Sequence, residues 1–156
     1  MSTRTVPSGR GSARWGCRAA AAGSTAGYRT EMPVEAGLTA TVELTVTDAD
    51  TALALRSGDV PVLATPRLVA LVEEATVKAL APVLQPGETS VGMRVQIDHL
   101  APIAVGSTVT AEASVERVEG PRIGFTFNVY DASGLVAAGK LTRAVVEIRP
   151  FMEKAR

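Results

Sequence analysis

From about residue 38 the chain alternates. Leu38, Ala40, Val42, Leu44 and Val46 are interleaved with Thr39, Thr41, Glu43, Thr45 and Thr47. A period of two predicts a half-buried strand, because successive strand side chains point to opposite faces. The same pattern runs through "VGMRVQIDHLAPI", where Val91, Met93, Val95, Ile97, His99, Ala101 and Ile103 are expected on one face. Gly92, Arg94, Gln96, Asp98 and Leu100 are expected on the other. Three more strands follow: Val109, Ala111, Ala113 and Val115 in the first, then Ile123, Phe125, Phe127 and Val129, then "GLVAAGKLTRAVVEIR". The turn-forming stretches "EGPR" and "DASG" between them predict an antiparallel meander.

One segment has a different period. In "TPRLVALVEEATVKALAPVL", Leu68, Leu71, Val72, Ala75, Ala79 and Val83 form a helical stripe. Thr65 before Pro66 reads as a helix start, with a capping hydroxyl and then proline at the first helical position, and Pro82 marks the far end. The order is therefore strand, helix, four strands. That predicts an α+β domain, a five-stranded antiparallel sheet with one long helix burying its stripe on one sheet face.

His99 is the only histidine in the chain, and it falls on an apolar face. A polar ring there needs a hydrogen-bonding partner from another element, since unmet polar groups are costly to bury. Asp98 points away. The helix carries two glutamates. Glu74 lies outside the stripe beside Arg67 and Lys78, and an i to i+4 pair with Lys78 is expected. Glu73 lies at the stripe's edge, next to Val69, Thr76 and Leu80, and is expected to supply the partner that His99 lacks. Arg143 alternates with Leu141 and Val145, so it too faces apolar surroundings and needs an anion: Glu73, another carboxylate or a ligand.

Composition narrows the function. Sixteen basic and sixteen acidic residues balance, which gives no electrostatic case for nucleic acid. One cysteine excludes an internal disulfide, and one His with one Cys cannot build a zinc site within one chain, so no metal and no cofactor are expected. No apolar run reaches the roughly 20 residues of a membrane span, and a reduced, cytoplasmic setting is expected. The balance conceals an asymmetry. Arg4, Arg10, Arg14, Arg18 and Arg29 and no acidic residue lie in residues 1–30, so the rest is net acidic. Residues 1–31, rich in Arg, Ser, Gly and Ala, are expected to be a disordered or non-native N-terminal extension, with the folded domain at 32–156. Cys17 in that tract is not expected to be catalytic.

The order of elements, together with "ATPRLVALVEEATVKALAPVLQPGETSVGMRVQIDHLAP", "GSTVTAEASVERVEGPRIGF" and "RAVVEIRPFMEK", resembles the fluoroacetyl-CoA thioesterase family of hot-dog acyl-CoA thioesterases. The resemblance covers most of the chain after Met32. It implies a hot-dog fold, hydrolysis of a small acyl-CoA thioester to free acid and CoA, and a homodimer or higher homo-oligomer with sites at subunit interfaces. It also implies a catalytic set of Thr65, Glu73 and His99, with Val60, Gly92 and Arg143 at the substrate. Val60, in "GDVPVLAT", stands where a gating phenylalanine of the fluoroacetyl-selective enzymes is expected. The chemistry suits the residues: a hydroxyl or water needs a base, and a histidine titrating near neutrality can remove its proton and later protonate the leaving thiolate. Backbone N–H groups of Arg67 or Leu68 at the helix start can receive the oxyanion. An alternative is a non-catalytic acyl-CoA-binding or regulatory protein on the same scaffold. A hydratase fits less well, because Asp98 adjoins His99 and faces away.

Overall fold

The structure, a computed structural model, describes residues 34–155. The extension expected over 1–31, with Cys17, lies outside them. Strand β1 (Thr39–Thr45) leads through a 3-10 turn (Asp48–Asp50) and a short helix α1 (Ala52–Leu55) into the long helix α2 (Thr65–Leu80). Strands β2 (Glu88–His99), β3 (Thr108–Glu119), β4 (Arg122–Asp131) and β5 (Gly134–Glu147) follow, and α3 (Ile148–Lys154) closes the chain. The expected final strand thus stops at Glu147, and the residues after it turn into a helix. No helix among the described residues is long and apolar enough to cross a membrane.

The strands form one antiparallel sheet in the order β1-β3-β4-β5-β2. The meander β3-β4-β5 occupies its centre, and β1 and β2 are the edges. The sheet curls around α2, whose stripe residues Leu68, Leu71, Val72, Ala75 and Ala79 are all buried. They meet Val109, Ala111, Ala113 and Val115 of β3, Phe125 and Phe127 of β4, and Leu141 of β5. A side chain of this size fully buried stabilises by about 1.5–3 kcal/mol, so the stripe holds helix and sheet in fixed relation. Gly139 is required on this face. A Cβ there would collide with the Gln96 carbonyl and lie 2.8 Å from the Phe127 ring, which closes over the space instead.

The alternation expected along β2 fails at one point. Gly92 pairs with Arg143, but the next pair is Arg94 with Thr142, so Met93 is the extra residue of a β-bulge. A bulge reverses which residues face the core. Val95, Ile97 and His99 face α2, opposite Leu141, Gly139 and Ala137. Beyond the bulge it is Gly92 and Ser90 that share this face, not Val91 and Met93. Met93 is exposed.

Candidate active site

The start of α2 is fixed from three directions. Ala52 N–H donates to Val62 O at 2.9 Å, Leu63 N–H to Ile103 O at 2.8 Å, and Ala64 N–H to Asp50 O at 2.9 Å. The residue preceding the helix therefore cannot drift, and neither can Thr65. The cap is Ala64, which offers no side-chain oxygen, and Thr65 is already the first helical residue. Its hydroxyl is free of any capping role. It lies 2.9 Å from His99 Nδ1 at the end of β2. The expectation of a capping Thr65 is thus corrected: one residue of shift at the helix start redirects the hydroxyl to the imidazole.

His99 is held in place by the sheet. It pairs with Ala137, and the following Leu100 N–H donates to Val136 O at 2.8 Å. Burial pushes the imidazole pKa below its ordinary value, with the Ala101 backbone opposing. The neutral ring is therefore favoured, which is the form that accepts a proton. Its Nε2 is buried and has no hydrogen-bond partner among the described residues.

Glu73 does not fill that position. Its Oε2 accepts from Arg143 Nη1 at 3.2 Å. Arg143, only 4% exposed, also donates from Nε to Ser90 Oγ at 2.8 Å and from Nη2 to Ser90 O at 2.9 Å. Its Nη1 reaches Thr76 Oγ1 at 3.4 Å. Burial lowers the guanidinium pKa, and the Glu73 carboxylate opposes that. A buried charge needs such pairing and hydrogen bonding. The bulge makes the arrangement possible. It turns Gly92 toward the helix, where a Cβ would sit 2.6 Å from Glu73 Oε2. Within one chain, then, the expected Glu73–His99 contact is not made. Thr65 and Glu73 are eight residues apart on a helix, about 12 Å at 1.5 Å per residue. One chain thus holds two separate polar clusters, Thr65–His99 and Glu73–Arg143–Gly92.

A sequence model of the fluoroacetyl-CoA-specific thioesterase (FlK) family matches residues 46–149. The chain belongs to this family of hot-dog acyl-CoA thioesterases. The fluoroacetyl-CoA thioesterase of Streptantibioticus cattleyicolor is 38% identical over 95 residues, 61% of this chain and 68% of that enzyme. A solved structure of the fluoroacetyl-CoA thioesterase FlK superposes with a TM-score of 0.76 at 32% identity, over 80% of this chain and 96% of that one. A thioesterase superfamily member from Thermus thermophilus superposes with a TM-score of 0.73 at 30% identity, over 78% of this chain and 90% of that one.

Other features of this thioesterase fall around the two clusters. Leu68 N–H is committed to Ala64 O at 3.0 Å, so of the two amides expected to meet an oxyanion, Arg67 is the one outside the helical ladder. Val60 is 55% exposed, in the loop between α1 and α2. Asp50 was not singled out from the sequence. It receives Thr47 N–H at 2.8 Å, Thr47 Oγ1 at 2.9 Å and Arg67 Nε at 2.9 Å, and so ties the first turn of α2 to the preceding loop. Its position three residues after Thr47, in a capping box, was the available signal. The expected Glu74–Lys78 pair does not form. Lys78 donates to Thr41 O at 2.9 Å, and Glu74 lies 3.5 Å from Arg67, because β1 passes within reach of the lysine.

Proposed function

We propose that this thioesterase hydrolyses short acyl-CoA thioesters to the free acid and CoA, using Thr65, Glu73 and His99, with Val60, Gly92 and Arg143 at the substrate. The 2.9 Å contact between Thr65 Oγ1 and His99 Nδ1 carries this reading, since it couples a hydroxyl nucleophile to a base held neutral by burial. His99 takes the hydroxyl proton as Thr65 attacks the thioester carbonyl. The C–S bond then breaks, the proton passes to the departing CoA thiolate, and water attacking by the same route releases the acid from Thr65. The Arg67 N–H at the helix start is placed for the developing oxyanion.

Glu73 enters through a second copy of the chain. β2 is an edge strand of twelve residues, with its outer hydrogen-bonding groups unpaired in one chain, the kind of edge that proteins normally cover. Counted in ladder steps, with Met93 the extra residue of the bulge, Gly92 and His99 each lie three steps from Gln96. Two β2 edges pairing antiparallel about Gln96 set Gly92 of one protomer beside His99 of the other. The Glu73 half-site of one chain then joins the Thr65–His99 half-site of its partner, and a carboxylate comes within range of the buried Nε2. This supports a homodimer with composite sites.

Two of the relatives described above, the Streptantibioticus cattleyicolor enzyme and FlK, are fluoroacetyl-CoA thioesterases. Here Val60 takes the place of a large ring, so we propose a wider acyl pocket with little preference for fluoroacetyl over acetyl beyond intrinsic reactivity. The test is a panel of acyl-CoA thioesters with detection of the free thiol. Turnover of short acyl-CoAs, abolished in folded His99→Ala protein, is the expected result. Binding of acyl-CoA with no turnover would instead indicate a non-catalytic binding protein.

A further inference from the structure

The catalytic half-sites lie on the concave face of the sheet, against α2. The opposite face carries a cavity of about 380 Å³, lined by Arg94, Arg117, Arg122, Gly124 and Thr142, with the acidic Glu119 at its rim and Met93 beside Arg94. Strand register explains how it is built. Arg117 pairs with Gly124, Gly124 with Thr142, and Thr142 with Arg94, so the four form one row across β3, β4, β5 and β2. The bulge between Val115 and Arg117 turns Arg117 outward, where unbroken alternation from Val115 would have turned it to the core. The row has an arginine at each end and a floor of glycine and threonine between. At about 4.8 Å per strand the two walls stand about 14 Å apart at the backbone. A side chain at Gly124 would crowd the Arg117 stem, its Cβ lying 3.1 Å from Cγ.

The charges are not balanced within the row. Arg117 meets Glu119 at 3.5 Å, and Lys140, in the adjoining cleft, meets Glu116 at 3.5 Å, all four side chains being well exposed. Exposed pairs of this kind are weak. Arg94 and Arg122 have no acidic partner among the described residues. Four of the eleven basic residues after position 30 gather here, on a portion of the chain whose acidic residues outnumber its basic ones. General basicity does not explain such a cluster. Arginine's planar fork matches phosphate oxygens in pairs, and a threonine hydroxyl on the floor adds a donor.

We propose that this convex-face cavity is a binding site for a phosphate-bearing ligand of diphosphate size, with Arg94 and Arg122 as its principal contacts and Arg117 released from Glu119 to join them. The probe is inorganic pyrophosphate, titrated calorimetrically into the full chain at about 0.15 M salt, where long-range attraction is screened. Wild type should bind saturably, and the Arg94→Ala/Arg122→Ala double variant about tenfold or more weakly. The control Arg149→Ala, which removes an arginine of α3 outside the cavity, should bind as wild type. No saturable binding by wild type, or equal binding by the double variant with its melting temperature unchanged, overturns the site. Kinetics then distinguish two sources of phosphate. If the substrate's own CoA phosphates occupy the cavity, the double variant raises KM for an acyl-CoA but not for the same acyl thioester of pantetheine. If pyrophosphate binding is lost and both KM values stay constant, the occupant is a separate phosphate ligand.

Discussion

The hydroxyl of Thr65 has two possible roles at the start of a helix, and they make opposite predictions. A capping threonine replaced by alanine costs about 1 kcal/mol, which is about 4–8 °C in melting temperature for a domain near 100 residues. Thr65 makes no cap bond, so Thr65→Ala should leave the melting temperature within a degree or two while kcat falls by about two orders of magnitude or more. A large thermal shift with normal turnover would reinstate the cap. His99 allows a second check. Its pKa is lowered by burial, so the neutral base persists below the ordinary value of 6.5. The acidic limb of the kcat/KM profile of the free enzyme should accordingly lie below pH 6.5 and vanish in His99→Ala. Stability follows the same sign. The unfolded chain takes up the His99 proton before the folded one does, so this group contributes a loss of stability as pH falls through 6.5 and below. Gly92→Ala tests the other half-site. The added methyl would lie 2.6 Å from Glu73 Oε2 and push the carboxylate aside, and turnover should drop while the sheet, where Gly92 needs no unusual backbone, remains folded.

At the scale of elements, the position of α2 depends on a strap as well as on its buried stripe. Asp50, 9% exposed, joins Thr47, Arg67 and, through its carbonyl, Ala64. Burial acts to raise its pKa, but the Thr47 N–H and hydroxyl and the Arg67 guanidinium outweigh it, and the net direction is down. Hydrogen bonds to a charged group contribute about 1.5–3 kcal/mol, and Asp50→Asn should destabilise the fold at pH 7 by an amount in that range. Because the folded pKa is depressed, this contribution is fully present above the unfolded value of 3.8 and is lost as pH falls through the folded one. Urea midpoints of wild type and Asp50→Asn should therefore converge at low pH. A constant gap down to pH 2 would mean that the aspartate acts through shape alone.

For the whole molecule, the separation of the half-sites gives a prediction that does not depend on rates of any single variant. His99→Ala and Glu73→Ala proteins should each be nearly inactive. After subunit exchange, half the dimers are mixed and each mixed dimer has one intact composite site, so mixing should restore about a quarter of wild-type activity. No recovery, with exchange verified by mass, would place the whole site within one chain. Sedimentation at micromolar concentration should show no substantial monomer.

Periodicity alone determined the five strands, the long helix α2, their order and the buried stripe of α2, because a side chain's face along a strand or helix depends only on local spacing; it did not mark the short helices α1 and α3. It marked out His99, Glu73 and Arg143 for the same reason: His99 and Arg143 are polar groups in line with core positions, and Glu73 lies at the edge of the helix stripe. The pairings are another matter. Thr65 meets His99 across 34 residues and Glu73 meets Arg143 across 70, and no local pattern carries that information. The Glu73–His99 partnership read from shared faces fails within one chain because His99 meets the start of α2 at Thr65, and Glu73 lies about 12 Å further along the helix. The bulge at Met93 has no signature in the alternation, which continues unbroken through it. Only pairing with β5 shows that one residue is extra, and that register brings Gly92 beneath the Glu73 carboxylate.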